Sequence, residues 1–322
     1  MPVLEKKDVE DYIQELSREY TVIAPSVYDA GIHYRQYTGD LPVKLDYDYT
    51  CESPKQILLP HDERILEFDE DSAGTSVYNN KYVLFGAQLY DVAAIKRLDR
   101  IFTDHHEDNH YQRRRDSLNI IAIENREAPD SFYEQLSLDV DDGYDVLLTD
   151  QGDCYGVTVS SEKGRKITKS QHISDGKAKP KKKMGRGKPL DLERIKSFLD
   201  LGPDQPLWHE LAEDCFACGS CAYVCPICHC FDMQDRVNLD GKTGYRSRHW
   251  DSCMLHDFAA VAGEGNFRPA RHERIHNWYH HKFSRAIEER GVPDCVGCGR
   301  CITVCPAKIP IYDVLKECES NG

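Results

Sequence analysis

The sequence predicts an α+β protein in three stretches. A mixed α/β amino-terminal docking domain covers residues 1–161, a lysine-rich flexible linker or insertion covers 162–189, and a helical domain covers 190–322. Three observations carry that division. Short apolar runs alternate with helically spaced ones in the first half. The stretch 162–189 holds eleven Lys and Arg against Glu162 and Asp175, a net of +9, which leaves −23 for the rest of a chain whose total is −14. Beyond it, four-cysteine runs sit in helix-forming text. At 322 residues and 40% hydrophobic, the chain is large enough for two cores.

The elements follow in order. Residues 8–18 place Val9, Tyr12, Ile13 and Leu16 at helical spacing. Residues 20–24 and 82–85 read as short strands. Gly86 ends the second, and a helix over 90–102 follows with Val92, Ile95, Leu98 and Ile101 on one side. Residues 117–122, 145–149 and 156–160 are further strands. The polar run His105-His106-Glu107-Asp108-Asn109-His110 reads as a surface loop rather than a ligand cluster. The stretch 162–189 has almost no large apolar residue, so it reads as a tether that cannot build a core. In the last third, residues 268–290 read as a long helix with Ile275, Trp278 and Phe283 on one stripe. Its histidines, His272, His276, His280 and His281, are candidate metal ligands by type but read rather as solvated or packed residues of that helix.

The chemistry lies in the cysteines. Cys215-x2-Cys218-x2-Cys221-x3-Cys225-Pro226 is repeated as Cys295-x2-Cys298-x2-Cys301-x3-Cys305-Pro306. This is the bacterial ferredoxin spacing for [4Fe–4S] clusters, in which the fourth cysteine ligates the other cluster of a pair. The expected ligand sets are therefore Cys215, Cys218, Cys221 and Cys305 for one cluster, and Cys295, Cys298, Cys301 and Cys225 for the other. Zinc knuckles use paired C-x2-C without the closing Cys-Pro, and disulfide frameworks belong to short secreted chains. Cys225 and Cys295 stand 70 positions apart, so the two-cluster module is expected to be helical rather than the compact β-rich kind. Cys228, Cys230 and Cys253 are left over. They read either as an extra thiolate site, a third metal centre or thiol relay, or as small buried residues beside a cluster. Cys51, Cys154 and Cys318 stand alone and receive no role.

Several classes are excluded or disfavoured. No run of about 18 apolar residues offers a transmembrane helix. The start, MPVLEKKDVEDYIQEL, has no signal-like apolar region, so a cytoplasmic location without membrane insertion is expected. Fourteen cysteines in such a chain point to a reducing, oxygen-poor setting. Gly86-Ala-Gln-Leu does not extend to a dinucleotide fingerprint and no P-loop occurs, so no nucleotide or flavin site is recognised. The lysines lack an aromatic platform, so no nucleic-acid partner is expected.

The segments CFACGSCAYVCPICHCFD (215–232), RHWDSC (248–253) and HHKFSRAIEERGVPDCVGCGRCITVCP (280–306), with Ile309-Pro310-Ile311, are specific in combination. With SPKQILLPHDERILEF (53–68), GAQLYDVAAIKRLDRIF (86–102) and GYDVLLTDQGDCY (143–155), the chain resembles the β subunit of sulfhydrogenase-type cytosolic [NiFe] hydrogenases and the corresponding iron–sulfur subunit of anaerobic sulfite reductase. The resemblance is dense after about residue 205 and sparse before it. It implies an electron-transfer subunit of a multisubunit oxidoreductase. Single electrons would be relayed between a catalytic subunit, hydrogenase-like or sulfite-reductase-like, and a flavin- and nicotinamide-binding subunit. Relatives often carry cysteines where this chain has Tyr90, Ser131 and Tyr133, which implies that any metal site built there is missing here and that the partner enzyme differs. Two alternatives stand beside this reading: an iron–sulfur docking or sensor module without turnover, and a thiol–disulfide enzyme using Cys228, Cys230 or Cys253.

Overall fold

The computed structural model describes residues 2–75, 80–104, 106–124, 128–136, 138–176, 178 and 188–322. The chain divides into two units, each assembled from separated segments. The first comprises 1–54, 78–129 and 137–186, and the second 55–77, 130–136 and 187–322. Residues 55–77 and 130–136 therefore belong with the cysteine runs, although they lie within the stretch read above as the amino-terminal domain. The mixed α/β class holds.

The first unit is built on an eight-stranded sheet. Its strands run in the order Ile173–Asp175, Pro2–Glu5, Cys154–Val159, Val146–Asp150, Leu118–Ile123, Tyr82–Gln88, Thr21–Tyr28, Gly31–Gln36. The four strands Val146–Asp150, Leu118–Ile123, Tyr82–Gln88 and Thr21–Tyr28 pair in parallel, and both sides of this group are antiparallel. Parallel strands are covered on both faces, which is why Leu118–Ile123 is apolar almost throughout and buried at every position. The register shifts between Phe85 and Ala87, where Gly86 takes φ +75°. A side chain there would meet Leu45 Cδ2 at 2.5 Å, so the bulge needs glycine.

The helix expected over 8–18 spans Val9–Leu16 and buries Val9, Tyr12, Ile13 and Leu16 as the spacing predicts. The one expected over 90–102 spans Leu89–Thr103. Two expectations need correction. The polar run at 105–110 gives way to a helix, Asn109–Ser117, whose first turn is capped by Asp108 accepting from Tyr111 N at 2.9 Å. Tyr111 is buried, stacks on Phe102 at 4.7 Å and donates to Asp99, an anchor that the histidines masked. His105 lies outside the described residues.

The second correction concerns the lysine-rich stretch, whose first part is folded. Glu162–Ile167 is a helix capped by Ser161, and Ile173–Asp175 pairs with Pro2–Leu4 at the sheet edge. Ile167 is buried in the core and its carbonyl accepts from Tyr12 Oη at 2.8 Å. The charge count hid these anchors because one buried isoleucine in a helix needs no apolar majority around it. Lys177 and residues 179–187 lie outside the described residues.

The second unit holds the cysteine runs among helices and a small sheet. The strands Phe231–Val237, Gly244–Trp250, Asp62–Phe68 and Ala73–Gly74 lie in that order. A buried ion pair, Arg248 Nη2 to Glu63 Oε2 at 2.7 Å, ties the middle two together. The long helix expected over 268–290 is Arg271–His280, then a π-helical turn at His281–Arg285, then Ala286–Arg290, ended by Gly291 at φ +72°. Its stripe of Ile275, Trp278 and Phe283 is buried. The helices Leu192–Leu199, Pro206–Asp214 and Ile311–Asn321 also belong to the unit. No helix among the described residues is long and apolar enough to cross a membrane.

Candidate metal centre

The two cysteine runs share a conformation as well as a spacing. In each, the residue before the second cysteine is left-handed, Ala217 at φ 52° and Gly297 at φ 62°. That turn aims a backbone N–H at the first thiol. Ala217 N donates to Cys215 Sγ and Gly297 N to Cys295 Sγ, both at 3.4 Å. A left-handed glycine, Gly219 or Gly299, then starts a one-turn helix, Ser220–Tyr223 or Arg300–Thr303, which carries the third cysteine. The internal repeat is thus physical: one local sequence pattern makes the same thiol-presenting loop twice.

The thiols line two cavities, and the fourth cysteine of each run lies on the cavity of the other. One cavity is lined by Cys215, Cys218, Cys221, Cys301 and Cys305, with Met254, Ile275, Trp278 and Tyr279 on its walls. A second is lined by Cys225, Cys295, Cys298 and Cys301, with Phe132, Trp278 and Lys282. Of these eight cysteines Cys218 alone is exposed and Cys298 alone is buried, the others lying between.

A third cavity gathers the leftover thiols Cys228, Cys230 and Cys253 with His229, His281, Lys282 and Asp294. His229 Nδ1 donates to the Ile227 carbonyl at 3.0 Å. Cys51 and Cys154 belong to the first unit, and Cys318 is buried in the last helix.

Two lysines missed by reading the sequence dominate the electrostatics. Lys282, placed by the π-helical turn, is 3% exposed; its Nζ donates to Cys225 Sγ at 3.2 Å and to the Asp294 carbonyl at 3.0 Å. Lys55 is equally buried and donates to the carbonyls of Cys228 at 2.8 Å, Tyr223 at 3.3 Å and Ala222 at 3.4 Å, with its Nζ 3.9 Å from the centre of the Trp250 ring. Neither forms an ion pair with a carboxylate among the described residues. Burial pushes the Lys282 ammonium down, but the thiolates of Cys225, Cys228 and Cys295 outweigh it and hold it well above lysine's ordinary range. For Lys55 burial prevails and the shift is downward. Both lysines sat in segments that carried the resemblance, SPK and HHK. Their meaning was hidden because Lys55 meets its partners across more than 160 residues of sequence.

The donor set fits iron–sulfur clusters. Burial, aided by neighbouring thiolates, pushes the Cys221 and Cys295 thiols up to about 12. The polypeptide alone does not supply the charge that deprotonates them, whereas a bound metal does. Cys225 is the opposite case. A hydrogen bond from Cys228, then Lys282 and Lys55, overcome burial and hold it well below the ordinary thiol range. Trp278 lines all three cavities, and its indole N–H is buried with no hydrogen-bond partner among the described residues; a sulfur acceptor within its reach would satisfy that donor.

Comparison with known proteins agrees with this picture. Residues 214–309 match the family model described as the 4Fe-4S dicluster domain. That span takes in all eight cysteines of the runs and also Cys228, Cys230 and Cys253. The chain is 29% identical to "Sulfhydrogenase 2 subunit beta" of Pyrococcus furiosus over 321 residues, covering 95% of each chain. The resemblance to a sulfhydrogenase β subunit therefore runs through the sparse amino-terminal half as well as the cysteine-rich end. No solved structure matches the chain.

Proposed function

We propose that this chain is a non-catalytic redox subunit of a larger cytoplasmic oxidoreductase, holding two [4Fe–4S] clusters. One would be bound by Cys215, Cys218, Cys221 and Cys305, the other by Cys295, Cys298, Cys301 and Cys225. The observation that carries the reading is the crosswise lining of two cavities by two copies of one thiol-presenting loop. When bound, such clusters supply one-electron chemistry at potentials set by hydrogen bonds, charge and exposure. The chain's own residues supply the rest. Backbone N–H groups of Ala217 and Gly297 orient the leading thiols. Met254, Ile275 and Tyr279 give the first cavity part of its apolar wall, and Lys282 places a positive charge on the second. The exposed Cys218 and Phe216 mark the edge at which an outside redox centre would approach. A flavin- and nicotinamide-binding subunit on one side and a catalytic subunit on the other are the expected partners, in line with the β-subunit relative. The amino-terminal unit is the expected docking platform. The test is the isolated chain, prepared without oxygen. It should accept electrons from a strong reductant and pass them to an artificial acceptor, yet neither oxidise hydrogen, reduce sulfite nor turn over a nicotinamide until partners are added. Steady nicotinamide turnover by the pure chain would overturn the reading.

A second reading concerns the remaining thiols. Lys282 faces the Cys225 sulfur, but Lys55 is buried with neither a carboxylate nor a thiol hydrogen-bonded to its ammonium among the described residues, and an unpaired buried charge is costly. The thiols of Cys228, Cys230 and Cys253 lie on the same side and offer the countercharge as metal-bound thiolates. This favours a metal at that cavity over a thiol–disulfide function. Iron analysis separates the two, because a third cubane raises the count from about eight to about twelve.

A further inference from the structure

Away from the cysteines, two helices bring a different donor set together. The Pro206–Asp214 helix carries His209, the residue Asp204 lies just before it, and the Arg271–His280 helix carries His272. The ligand atoms of Asp204, His209 and His272 all fall within 4.8 Å of one another, the one such group of three among the described residues. The two imidazoles are stacked, with centroids 4.0 Å apart and planes 26° from parallel. None of the three makes a hydrogen bond or ion pair with another side chain among the described residues.

The helices are already fixed relative to one another, so the cluster is not an accident of loose side chains. Trp208, fully buried, packs its ring 5.4 Å from both His276 and Tyr279, and Arg271 Nη1 donates to the Ala212 carbonyl at 2.9 Å. Two imidazoles and a carboxylate with an open side for water form a donor set for a borderline divalent ion. Alkaline-earth ions prefer all-oxygen sites.

We propose that Asp204, His209 and His272 bind a divalent transition-metal ion, of which zinc is the representative, that staples these two helices at their exposed edge. The staple has a direct line to the redox end of the unit. The first helix runs into Cys215, and the second presents Ile275, Trp278 and Tyr279 to the same cavity. The site uses none of the thiols, so it stands or falls independently of the cluster assignment.

The experiment uses the full chain with its iron intact, handled without oxygen and dialysed against zinc chloride. Metal content is measured after gel filtration, and the zinc X-ray absorption edge reports its ligands. The wild type should retain about one zinc beyond its iron, with a shell of nitrogen and oxygen at about 2.0 Å and no sulfur. The double variant His209→Ala, His272→Ala should lose that zinc, and Asp204→Asn should weaken its binding at least tenfold, while iron content and helicity stay at wild-type levels in both. Zinc retained equally by the double variant, or a zinc shell containing sulfur, would overturn the proposal. So would a wild type that holds no zinc after gel filtration.

Discussion

Replacing Lys282 with methionine removes a buried positive charge and keeps an unbranched side chain of similar length. Lys282 Nζ sits 3.2 Å from Cys225 Sγ. At an effective dielectric of about 20, a unit charge at that distance is worth about 5 kcal/mol against one full negative charge on the sulfur. Since about 1.4 kcal/mol corresponds to 59 mV for one electron, the ceiling is roughly 200 mV. The electron added on reduction spreads over a whole cluster, at greater mean distance, so the expected fall in midpoint potential is on the order of 100 mV. Lys282→Arg, which keeps the charge, should fall by much less. The assay is a redox titration of the anaerobic protein followed by electron paramagnetic resonance, with iron content measured in parallel. The affected signal should be the one that also responds to changes at Cys295 and Cys298. A Lys282→Met protein with full iron content and both potentials within about 20 mV of wild type would refute the electrostatic argument. A shift confined to the cluster held by Cys215 and Cys218 would refute the assignment of Cys225 to the other site.

Further outcomes follow from the same geometry. Anaerobic protein should carry about eight iron and eight sulfide if only the two runs are loaded, and about twelve of each if the third cavity holds a cubane; in the second case serine at Cys228, Cys230 and Cys253 should return the count to about eight. Cys225→Ala should damage the cluster of Cys295, Cys298 and Cys301 and spare that of its sequence neighbours, as read from spectra of the two centres. Ala217→Gly should be neutral or stabilising by up to about 1 kcal/mol, because it relieves a left-handed alanine. The repeat-related Gly297→Ala should cost about 1–3 kcal/mol and iron content, because its Cβ would lie 2.6 Å from Tyr133 N; thermal melts of the two variants give the comparison. Ile167→Ala should destabilise the first unit by about 2–4 kcal/mol in denaturant titration without changing cluster spectra, since the side chain is buried in that unit's core.

Regular structure was legible where periodicity and burial coincide. Val9, Tyr12, Ile13 and Leu16 announce their helix because a single stripe meets the core. The strand Leu118–Ile123 does so because a parallel central strand has no polar face. The edge strands Gly31–Gln36 and Ile173–Asp175 were illegible for the complementary reason, that few of their positions are buried, and the short strand Pro2–Glu5 because its pairing on both sides is set by distant partners. The discontinuous second unit was equally hidden. Asp62–Phe68 is paired with Gly244–Trp250, and no local signal in either strand records that choice. At the metal centre, the cysteines could be read because their spacing is itself the geometry of the loop. Lys55, Lys282 and Trp278 could not, since each acts through a contact that only the fold creates.

That contrast also explains how one repeated loop can make two unlike sites. The two runs share left-handed turns, N–H to sulfur contacts and one-turn helices, so local sequence cannot be what distinguishes them. The differences come from what surrounds each copy. Around the first run, Phe216 is 68% exposed and Cys218 reaches the surface, so water can reach that edge and screen charges there. Around the second, Cys298 is buried and Lys282 is driven against Cys225 by a π-helical turn, a break in α-helical geometry often found at functional sites. A buried cation favours the more negative, reduced form of whatever the adjacent thiols hold, and it acts more strongly where solvent is excluded. On the proposed ligand sets, Lys282 raises the potential of the Cys225 set relative to the same site without that charge, which is what the Lys282→Met titration reads.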